Sequence, residues 1–374
     1  MKAAVFHGRL DIRIEDVPAP TPGPGELLVR VSSVGICGTD AAEYAHGPSM
    51  FPIEYPHPVT GHVGPMVPGH EFAGIVASTG PDVTGFADGD LVSSGAGFSC
   101  GDCDRCRTGR SNMCDRYATV GLQRDGALAE YTTVPAAACL NIERRRLSAD
   151  VAAMAQPMSI AVHAMRRGRA TAADDVVVLG AGGIGAFLIH AAAQEGAHVT
   201  AVDLDQHRLD VARELGADAT VLASRDTPLI EPLTAAGLSP TVVYECTGVA
   251  PAADAALGIG RRGGRIVVVG LHKQPVPIDL TKVALQEKEL IGTLAHVFDS
   301  DFRHAVDLLE NETHLWARVA PTVIPLEGLV EDGLRPMVDG GAAPIKALLD
   351  PGIDTPRDID VSPGRPTAEN QVAP

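Results

Sequence analysis

The chain has 374 residues, of which 45% are hydrophobic, and this length exceeds one ordinary hydrophobic core, so we expect two domains. Its net charge of −17 and its 4% of aromatic residues exclude the common nucleic-acid-binding classes, because an acidic surface repels phosphate and few rings can stack on bases. The N-terminal residues lack the long apolar core of a signal peptide, and no apolar run reaches membrane-span length. We therefore expect a cytoplasmic protein without nucleic-acid or membrane partners.

Predicted strands and helices change in character along the chain. The first 150 residues are rich in proline, glycine and β-branched residues, which predicts short strands joined by long loops, at 27–31, 74–77 and 91–93. From about residue 174, apolar strands alternate with helices, the pattern of an α/β fold with a doubly wound parallel sheet. Its strands are predicted at 176–179, 198–202, 241–245, 265–269 and 290–294, and its first helices at 184–195 and 206–215. A late strand at 345–349 precedes a tail, 351–374, that we expect to be loosely ordered.

A glycine-rich turn lies between the first strand and the first helix of this predicted sheet. Its G-x-G-x-x-G spacing allows a tight turn, a close approach to a pyrophosphate and close helix packing. The next strand ends at Asp203, about 20 residues on, where a carboxylate binds both ribose hydroxyls and repels a 2′-phosphate. NAD is therefore favoured over NADP, although Arg208 nearby leaves room for NADP. The predicted cofactor-binding residues are Gly180, Gly182, Gly183, Ile184, Gly185, Asp203 and Arg208.

Four of the seven cysteines crowd into one loop. They have the spacing C-x₂-C-x₂-C-x₇-C, and they are Cys100, Cys103, Cys106 and Cys114. In a chain expected in the cytoplasm, this density favours metal binding over disulfides. Four thiolates complete the tetrahedral shell of a zinc ion with no open position, so the site is predicted to be structural. An iron–sulfur cluster is the competing interpretation. Cys139 and Cys246 have no partner by spacing and are predicted to be small buried hydrophobes.

A second zinc, with one coordination position open, can be bound by Cys37 together with the adjacent pair His70 and Glu71. Cys37 is the first residue of the run Cys-Gly-Thr-Asp. Neither motif is specific alone. With the four-cysteine loop, the glycine turn and the run Glu-Cys-Thr-Gly at 245–248, they occur in the order seen in zinc-containing medium-chain dehydrogenases. The chain resembles that superfamily over nearly its whole length, to about residue 351. Further local matches make it most similar to the 2,3-butanediol and sorbitol dehydrogenase branch, and they lie at 43–44, 57–61, 269–271 and 301–302.

The resemblance implies a domain organisation and an activity. It implies a GroES-like β-rich catalytic domain at 1–155, a Rossmann NAD-binding domain at 156–296, a return to the catalytic domain at 297–350 and a flexible tail. The active site is expected in the cleft between the domains, at the carboxyl ends of the parallel strands. The implied reaction transfers hydride between NAD and a secondary alcohol, vicinal diol or polyol, interconverting alcohol and ketone. A homodimer or homotetramer is also implied.

The resemblance also assigns roles to residues. Cys37, His70 and Glu71 are implied ligands of a catalytic zinc, which lowers the pKa of an alcohol oxygen. Thr39 is implied to bond the substrate hydroxyl. Three further residues are implied to contact the cofactor, namely Thr247, Val269 and Gly270.

Two positions depart from the family pattern. Gln156 stands where butanediol and sorbitol dehydrogenases typically carry a glutamate at the metal, so we hypothesise a more electrophilic zinc that is held less tightly. Ala42 replaces the usual proton-relay histidine, so proton release must pass through Thr39, the cofactor ribose and water, or another group. His46 and His57 are candidates, but ordinary surface or loop roles are favoured for both. These departures keep open a non-catalytic dinucleotide-binding protein and, among enzymes, a sugar, amino-alcohol or specialised-metabolite substrate.

Overall fold

The structure of the protein, a computed structural model, describes residues 1–340 and 344–362. The chain divides into two compact units. One consists of Met1–Gln156 with the described part of Val297–Pro374, and the other of Pro157–His296. Within the described ranges, no helix is long and apolar enough to cross a membrane.

Strands and helices are numbered here in chain order. The strands are β1 (Lys2–Gly8), β2 (Asp11–Asp16), β3 (Glu26–Ile36), β4 (Glu71–Thr79), β5 (Leu91–Ser94), β6 (Gly97–Phe98), β7 (Ala118–Thr119), β8 (Tyr131–Pro135), β9 (Cys139–Asn141), β10 (Asp175–Leu179), β11 (His198–Asp203), β12 (Ala219–Leu222), β13 (Val242–Glu245), β14 (Arg265–Val268), β15 (Glu289–Gly292), β16 (Thr322–Pro325), β17 (Ala347–Asp350) and β18 (Arg357–Asp358). The helices are α1 (Gly38–His46), α2 (Asp104–Arg107), α3 (Ala149–Ala153), α4 (Ala155–Gly168), α5 (Gly183–Gln194), α6 (Gln206–Glu214), α7 (Ile230–Ala235), α8 (Ala250–Ile259), α9 (Leu280–Leu285), α10 (Arg303–Asn311), α11 (Trp316–Val319) and α12 (Arg335–Asp339).

The first unit is built on a sheet in the order β18-β16-β17-β3-β4-β5-β9, with β8 also paired to β3. Strand β3 carries alternating buried apolar residues and is central to the core. Its C-terminal end lies between two antiparallel partners. On one side Ile36 pairs with Ala347 of β17, and on the other Gly35 pairs with Glu71 of β4. Residues separated by more than 270 positions therefore meet across one strand.

The second unit contains a six-stranded parallel sheet in the order β12-β11-β10-β13-β14-β15. Its inner strands are apolar on both faces, because helices cover a parallel sheet on each side. The five strands predicted from the sequence are all present, and the α/β fold class with a parallel sheet is confirmed. The partly exposed β12 was not predicted, because its edge position requires little apolar patterning. The strand order reverses between β10 and β13, where such sheets bind ligands at the carboxyl ends of their strands.

The C-terminal segment differs from the predicted flexible tail over its first twelve residues, 351–362. Strand β18 pairs antiparallel with β16, and Arg357 forms ion pairs with Asp150 and Asp350. The backbone N–H of Asp360 also donates to Asp150 at 2.8 Å. Asp150 is buried, and a buried carboxylate requires such partners. The composition of this segment does not predict these contacts with Asp150 and Asp350. Residues 363–374 of the predicted tail lie outside the described residues.

Candidate metal and dinucleotide sites

Cys37 lies at the junction between β3 and α1. The strand ends at Ile36 and the helix begins at Gly38, so Cys37 occupies the N-terminal cap position. The carboxylate of Asp40 accepts a hydrogen bond from the backbone N–H of Cys37 at 2.9 Å. This capping interaction satisfies one of the free N–H groups of the helix end and fixes the direction in which the thiol leaves the backbone.

His70 immediately precedes β4, Glu71 is its first residue, and both are buried. The preceding Gly69 has a φ of 98° and lies against the backbone of Leu128, where a Cβ would come within 2.8 Å of the Leu128 nitrogen. Only glycine allows this turn without strain. As a result, one ligand atom each of Cys37, His70 and Glu71 lies within 4.8 Å of the others. The structure therefore brings the three predicted ligands together, and their binding of zinc stays a prediction.

Asp40 lies beside the His70 ring. Its Oδ1 atom lies 3.6 Å from His70 Nδ1, with both side chains buried. Burial alone would lower the pKa of His70, but the negative charges of Asp40 and Cys37 outweigh it and raise that pKa well above its usual value. A metal bound by His70 therefore has to displace a proton. The sequence reasoning named Asp40 only as part of a motif and missed this role.

Lys346 is a second residue that the sequence reasoning missed. It precedes β17, is buried, and its ammonium forms a close ion pair with Glu71 Oε2. Burial would lower the pKa of Lys346, but the charges of Glu71 and Cys37 hold it above the usual value. Its position 275 residues from Glu71 along the chain left no local signal in the sequence.

The Cys37, His70 and Glu71 cluster fits a zinc ion. The Oε1 atom of Glu71 is buried without a hydrogen-bond partner, and Oε2 has only the ion pair with Lys346. Buried polar atoms without partners are costly, and coordination to a cation removes that cost. A thiolate, an imidazole and a carboxylate are also donor types that zinc accepts.

Thr39 and Gln156 are the other two residues predicted at this site. Thr39 is half-buried in the first turn of α1, and Gln156 is buried near the start of α4. Ala42 lies farther along α1 and is half-buried. The contacts predicted for Thr39 with substrate and for Gln156 with the metal stay predictions.

The four cysteines of the 100–114 loop converge, with their sulfur atoms within 4.8 Å of one another. Sγ–Sγ distances are 3.4 Å for Cys100 and Cys114, 3.5 Å for Cys103 and Cys106, and 3.9 Å for Cys100 and Cys106. Thiolates around one zinc at a bond length of about 2.3 Å lie about 3.8 Å apart in a tetrahedron. The thiolates of a four-iron cluster bind different irons and would lie farther apart, so the loop fits a single ion better.

Backbone amides prepare this loop for metal binding. The N–H groups of Cys100 and Arg116 donate to Cys114 Sγ at 3.4 and 3.2 Å. The backbone at Cys106 lowers the pKa of Cys103 to about 6, which favours the thiolate that metals require. By contrast, burial raises the pKa of Cys139 to about 12, as expected for a small hydrophobe.

The glycine turn joins β10 to α5 as predicted. Gly180 has a φ of 95°, which glycine adopts freely. A Cβ on Gly185 would collide with the Gly180 carbonyl oxygen, so the third glycine permits close packing of the helix on the turn. Gly182 caps α5, and Gly183 and Ile184 form its first turn. The free N–H groups of this helix end suit an anionic pyrophosphate.

Asp203 ends β11 beside this turn. Its Oδ2 atom accepts the backbone N–H of Ala181 at 2.8 Å, and Oδ1 accepts that of Asp205 at 3.0 Å. Arg208 reaches over from α6, with Nη1 3.9 Å from Asp203 Oδ2. A Cβ on Gly182 would lie 3.4 Å from the same guanidinium atom. The carboxylate and the guanidinium therefore border the glycine turn together.

The remaining predicted cofactor residues follow the neighbouring strands β13 and β14. The side chain and backbone N–H of Thr247 both donate to Glu245, which is fully buried. The backbone N–H groups of Val269 and Gly270 bond the Glu245 carbonyl oxygen at 2.9 and 2.8 Å. Gly180 approaches Thr247 closely, since a Cβ there would lie 2.8 Å from Thr247 Cγ2. Glu245 thus connects, through hydrogen bonds, the segments that follow β13 and β14 at the carboxyl edge of the sheet.

The two alternative relay histidines have ordinary environments. His46 is exposed at the end of α1. His57 accepts backbone N–H groups of Val59 and Thr60, each at 3.4 Å, within its own loop. Both environments agree with the surface and loop roles that the sequence favours.

Comparison with known proteins gives the family. A model described as the alcohol dehydrogenase GroES-like domain matches residues 23–144, and one described as zinc-binding dehydrogenase matches residues 183–311. An erythritol/L-threitol dehydrogenase of Mycolicibacterium smegmatis is 33% identical over 358 residues, which cover 94% of this chain and 98% of the relative. The chain belongs to the zinc-dependent alcohol dehydrogenase family. The predicted resemblance is confirmed, and the non-catalytic alternative is not favoured.

Solved structures support the same assignment to the alcohol dehydrogenase family. The 2R,3R-butanediol dehydrogenase of Bacillus subtilis superposes with a TM-score of 0.83 at 28% identity, covering 94% of this chain and 99% of that one. A zinc-binding dehydrogenase of Sinorhizobium meliloti bound to NADP gives a TM-score of 0.80 at 29% identity, with the same coverage of both chains. The combination of a GroES-like and a zinc-binding dehydrogenase domain in this alcohol dehydrogenase is therefore confirmed.

Proposed function

We propose that this alcohol dehydrogenase oxidises a vicinal diol or polyol at a secondary carbon, using a catalytic zinc and NAD. The observation that carries the proposal is the convergence of half-buried Cys37 with buried His70 and Glu71. When bound there, zinc lowers the pKa of the substrate hydroxyl in one direction and polarises the ketone in the other. Relatives named butanediol and erythritol/L-threitol dehydrogenase support the diol or polyol class.

Residues of this chain prepare the chemistry at the proposed metal. Asp40 holds the His70 ring and favours its orientation, as carboxylates commonly do behind metal-binding histidines. Thr39 offers a hydroxyl two positions after Cys37, where it would accept the proton of the substrate alcohol. Since Ala42 supplies no titratable group, we propose that this proton leaves through Thr39, a cofactor ribose hydroxyl and water.

We propose that the four-cysteine loop holds a second zinc with a structural role. Four thiolates leave no coordination position for a substrate. The loop contains only two short helical turns, at Asp104–Arg107 and Ser111–Met113, and has little buried apolar surface of its own. A metal would therefore supply much of the energy that keeps the loop folded.

The glycine turn and Asp203 are proposed to bind NAD in preference to NADP. NAD, when bound, accepts hydride at C4 of its nicotinamide ring. The helix end after Gly182 would receive the pyrophosphate, and Asp203 the ribose hydroxyls. Arg208 lies close enough to weaken the repulsion of a 2′-phosphate, so the preference is expected to be moderate.

Asp203→Asn is expected to reduce the preference for NAD by about ten- to a hundredfold in kcat/KM. The change removes the charge but keeps the size, and hydrogen bonds to a charged group contribute about 1.5–3 kcal/mol. Initial rates with NAD⁺ and NADP⁺ measure the ratio. Asp210→Asn, on the exposed face of α6, is the matched control and should leave the ratio unchanged. An unaltered ratio in Asp203→Asn would remove Asp203 from the ribose site.

The proposed reaction is tested by NADH formation at 340 nm against a panel. The panel holds vicinal diols, polyols, simple secondary alcohols, sugars and amino alcohols, each with NAD⁺ and with NADP⁺. We expect turnover with diols or polyols that is lost when the metal is removed and returns with added zinc. Preferred turnover of a sugar or amino alcohol would replace the substrate class, and turnover that survives metal removal would contradict the zinc mechanism.

We also propose a homo-oligomer formed through β15, the edge strand of the parallel sheet. Exposed leucines cluster in sequence around this edge, at Leu280, Leu285, Leu290 and Leu294. An apolar sheet edge left open favours pairing with another chain.

The double change Leu290→Lys and Leu294→Lys is expected to convert the oligomer to a smaller species in light scattering, because two charges cannot be buried in a paired edge. Leu222→Lys on the opposite edge strand β12 is the matched control, since Leu222 is similarly exposed. A wild-type mass that is monomeric, or a double variant of unchanged mass, contradicts this assembly.

A further inference from the structure

An ion pair crosses the central strand of the first unit at the proposed zinc site. Lys346 precedes β17, and Glu71 begins β4, so the two residues flank the end of β3 from opposite sides. The exposed fraction is 5% for Lys346 and 0% for Glu71. The ammonium contacts Glu71 Oε2 and donates a further hydrogen bond to the Ile36 carbonyl oxygen at 3.0 Å.

Gly35 leaves the space in which this ion pair forms, because it has no side chain. A Cβ at this position would collide with Glu71 Oε2 and lie 3.0 Å from Lys346 Cε. The two side chains therefore meet directly over the backbone of Gly35, in space that any other residue would fill. Sheet register and a glycine together build this contact, which is specific to the end of β3.

The charges around Glu71 explain why a cation is needed there. Asp40 and the thiol of Cys37 are the other acidic groups beside the cluster, and His70 is its imidazole. A buried carboxylate without a cation is strongly unfavourable. Lys346 meets that need for Glu71 when no metal is present, and zinc meets the same need when it binds.

We propose that Lys346 is the built-in counter-ion of Glu71 and competes with zinc for this carboxylate, so that Lys346 weakens zinc binding while it stabilises the metal-free site. The inference rests on the proposed zinc site of Cys37, His70 and Glu71. Lys346 is a positioning residue in this account, because it acts on zinc through Glu71. Its positive charge also opposes the approach of a second cation.

The test compares Lys346→Met with Lys288→Met. Lys288 is an equally buried lysine in the second unit, where its ammonium bonds the Leu257 carbonyl oxygen. Zinc affinity is measured by competition with a chromophoric chelator on the full chain, and Cys37→Ala supplies the background from the four-cysteine loop. Lys346→Met is expected to bind the catalytic zinc at least about tenfold more tightly, because competition and charge repulsion both disappear. Lys288→Met should stay within about twofold of the wild type.

Thermal unfolding gives a second readout that does not depend on activity. Metal-free Lys346→Met should unfold at a lower temperature than the metal-free wild type, and added zinc should restore most of the difference. If Lys346→Met does not fold without metal, added zinc must restore its folding. For Lys288→Met, added zinc should raise the unfolding temperature no more than it does for the wild type. Failure of zinc to restore Lys346→Met would overturn the inference.

The outcomes separate this inference from the proposed function. A wild-type chain whose zinc binding equals that of Cys37→Ala has no zinc at Cys37, and both proposals then fail. A wild-type chain with that zinc, but with equal or weaker binding in Lys346→Met, retains the proposed zinc site and overturns the role of Lys346. Lys346→Arg keeps the charge and is expected to bind zinc with an affinity nearer to that of the wild type than to that of Lys346→Met.

Discussion

Cys37→Ala is expected to lower kcat/KM by about a thousandfold or more. The change removes the thiolate from a three-residue ligand set, and a zinc Lewis acid contributes several kcal/mol to the transition state. A loss of about 4 kcal/mol corresponds to about a thousandfold. Zinc content should fall from about two to about one per chain, because the four-cysteine loop keeps its own ion. Metal analysis and initial rates measure both effects.

Cys139→Ala is the matched control for this change. Cys139 is a buried thiol outside both metal clusters, and its high pKa keeps it protonated. Its replacement should alter stability modestly but leave zinc content and kcat/KM near wild type. NADH binding should persist in both variants, since the glycine turn lies in the other unit. Turnover of Cys37→Ala within about tenfold of wild type would show that the reaction does not need this ligand.

Cys103→Ser is expected to lower the stability of the chain by several kcal/mol. The Cys103 thiol donates a hydrogen bond to Cys106 Sγ at 3.5 Å, and the backbone at Cys106 lowers the pKa of Cys103 to about 6. Loss of a structural zinc costs several kcal/mol, which we expect to lower the midpoint of thermal unfolding by roughly 10 °C. Zinc content should fall by about one ion per chain, and the catalytic zinc should remain.

Residual activity distinguishes the two zinc sites. At low temperature, folded Cys103→Ser should retain a substantial part of its turnover, because its loop does not contain Cys37, His70 or Glu71. Chelator treatment of the wild type should reproduce both defects. An unchanged melting midpoint with unchanged zinc content in Cys103→Ser would mean that the loop binds no metal. Cys139→Ala again controls for the removal of a thiol.

Local motifs made the larger part of these sites predictable from the sequence. The glycine turn and the four-cysteine loop each lie within a short stretch, so spacing alone reveals their geometry. The strands of the parallel sheet were equally visible, because strands such as β10 and β13 are buried on both faces and read as apolar runs. Cys37 and His70 needed the family resemblance, since 33 positions separate them and neither motif is specific alone.

The groups that surround the zinc ligands could not be predicted in this way. Lys346 meets Glu71 only because β17 and β4 flank β3, a register that no local pattern specifies. Asp40 appears in the sequence only as part of the Cys-Gly-Thr-Asp run, and the fold alone places its Oδ1 atom 3.6 Å from His70 Nδ1. The prediction of a loosely ordered tail was wrong at Arg357 for the same reason. Arg357 is held by Asp150, which lies 207 positions away in the sequence. Long-range contacts of charged residues are set by tertiary structure, and composition does not report them.

Zinc-dependent hydride transfer is tested most directly by tracing deuterium from the substrate to the cofactor during one turnover. The enzyme is mixed with NAD⁺ and the best diol of the panel, carrying deuterium at its secondary carbinol carbon, and the NADH is analysed by mass spectrometry and NMR. We expect one deuterium at C4 of the nicotinamide in every NADH formed, with a slower rate than for the unlabelled diol if the transfer limits turnover. NADH without deuterium, or labelled NADH formed equally fast by Cys37→Ala, would contradict zinc-dependent hydride transfer from the alcohol carbon.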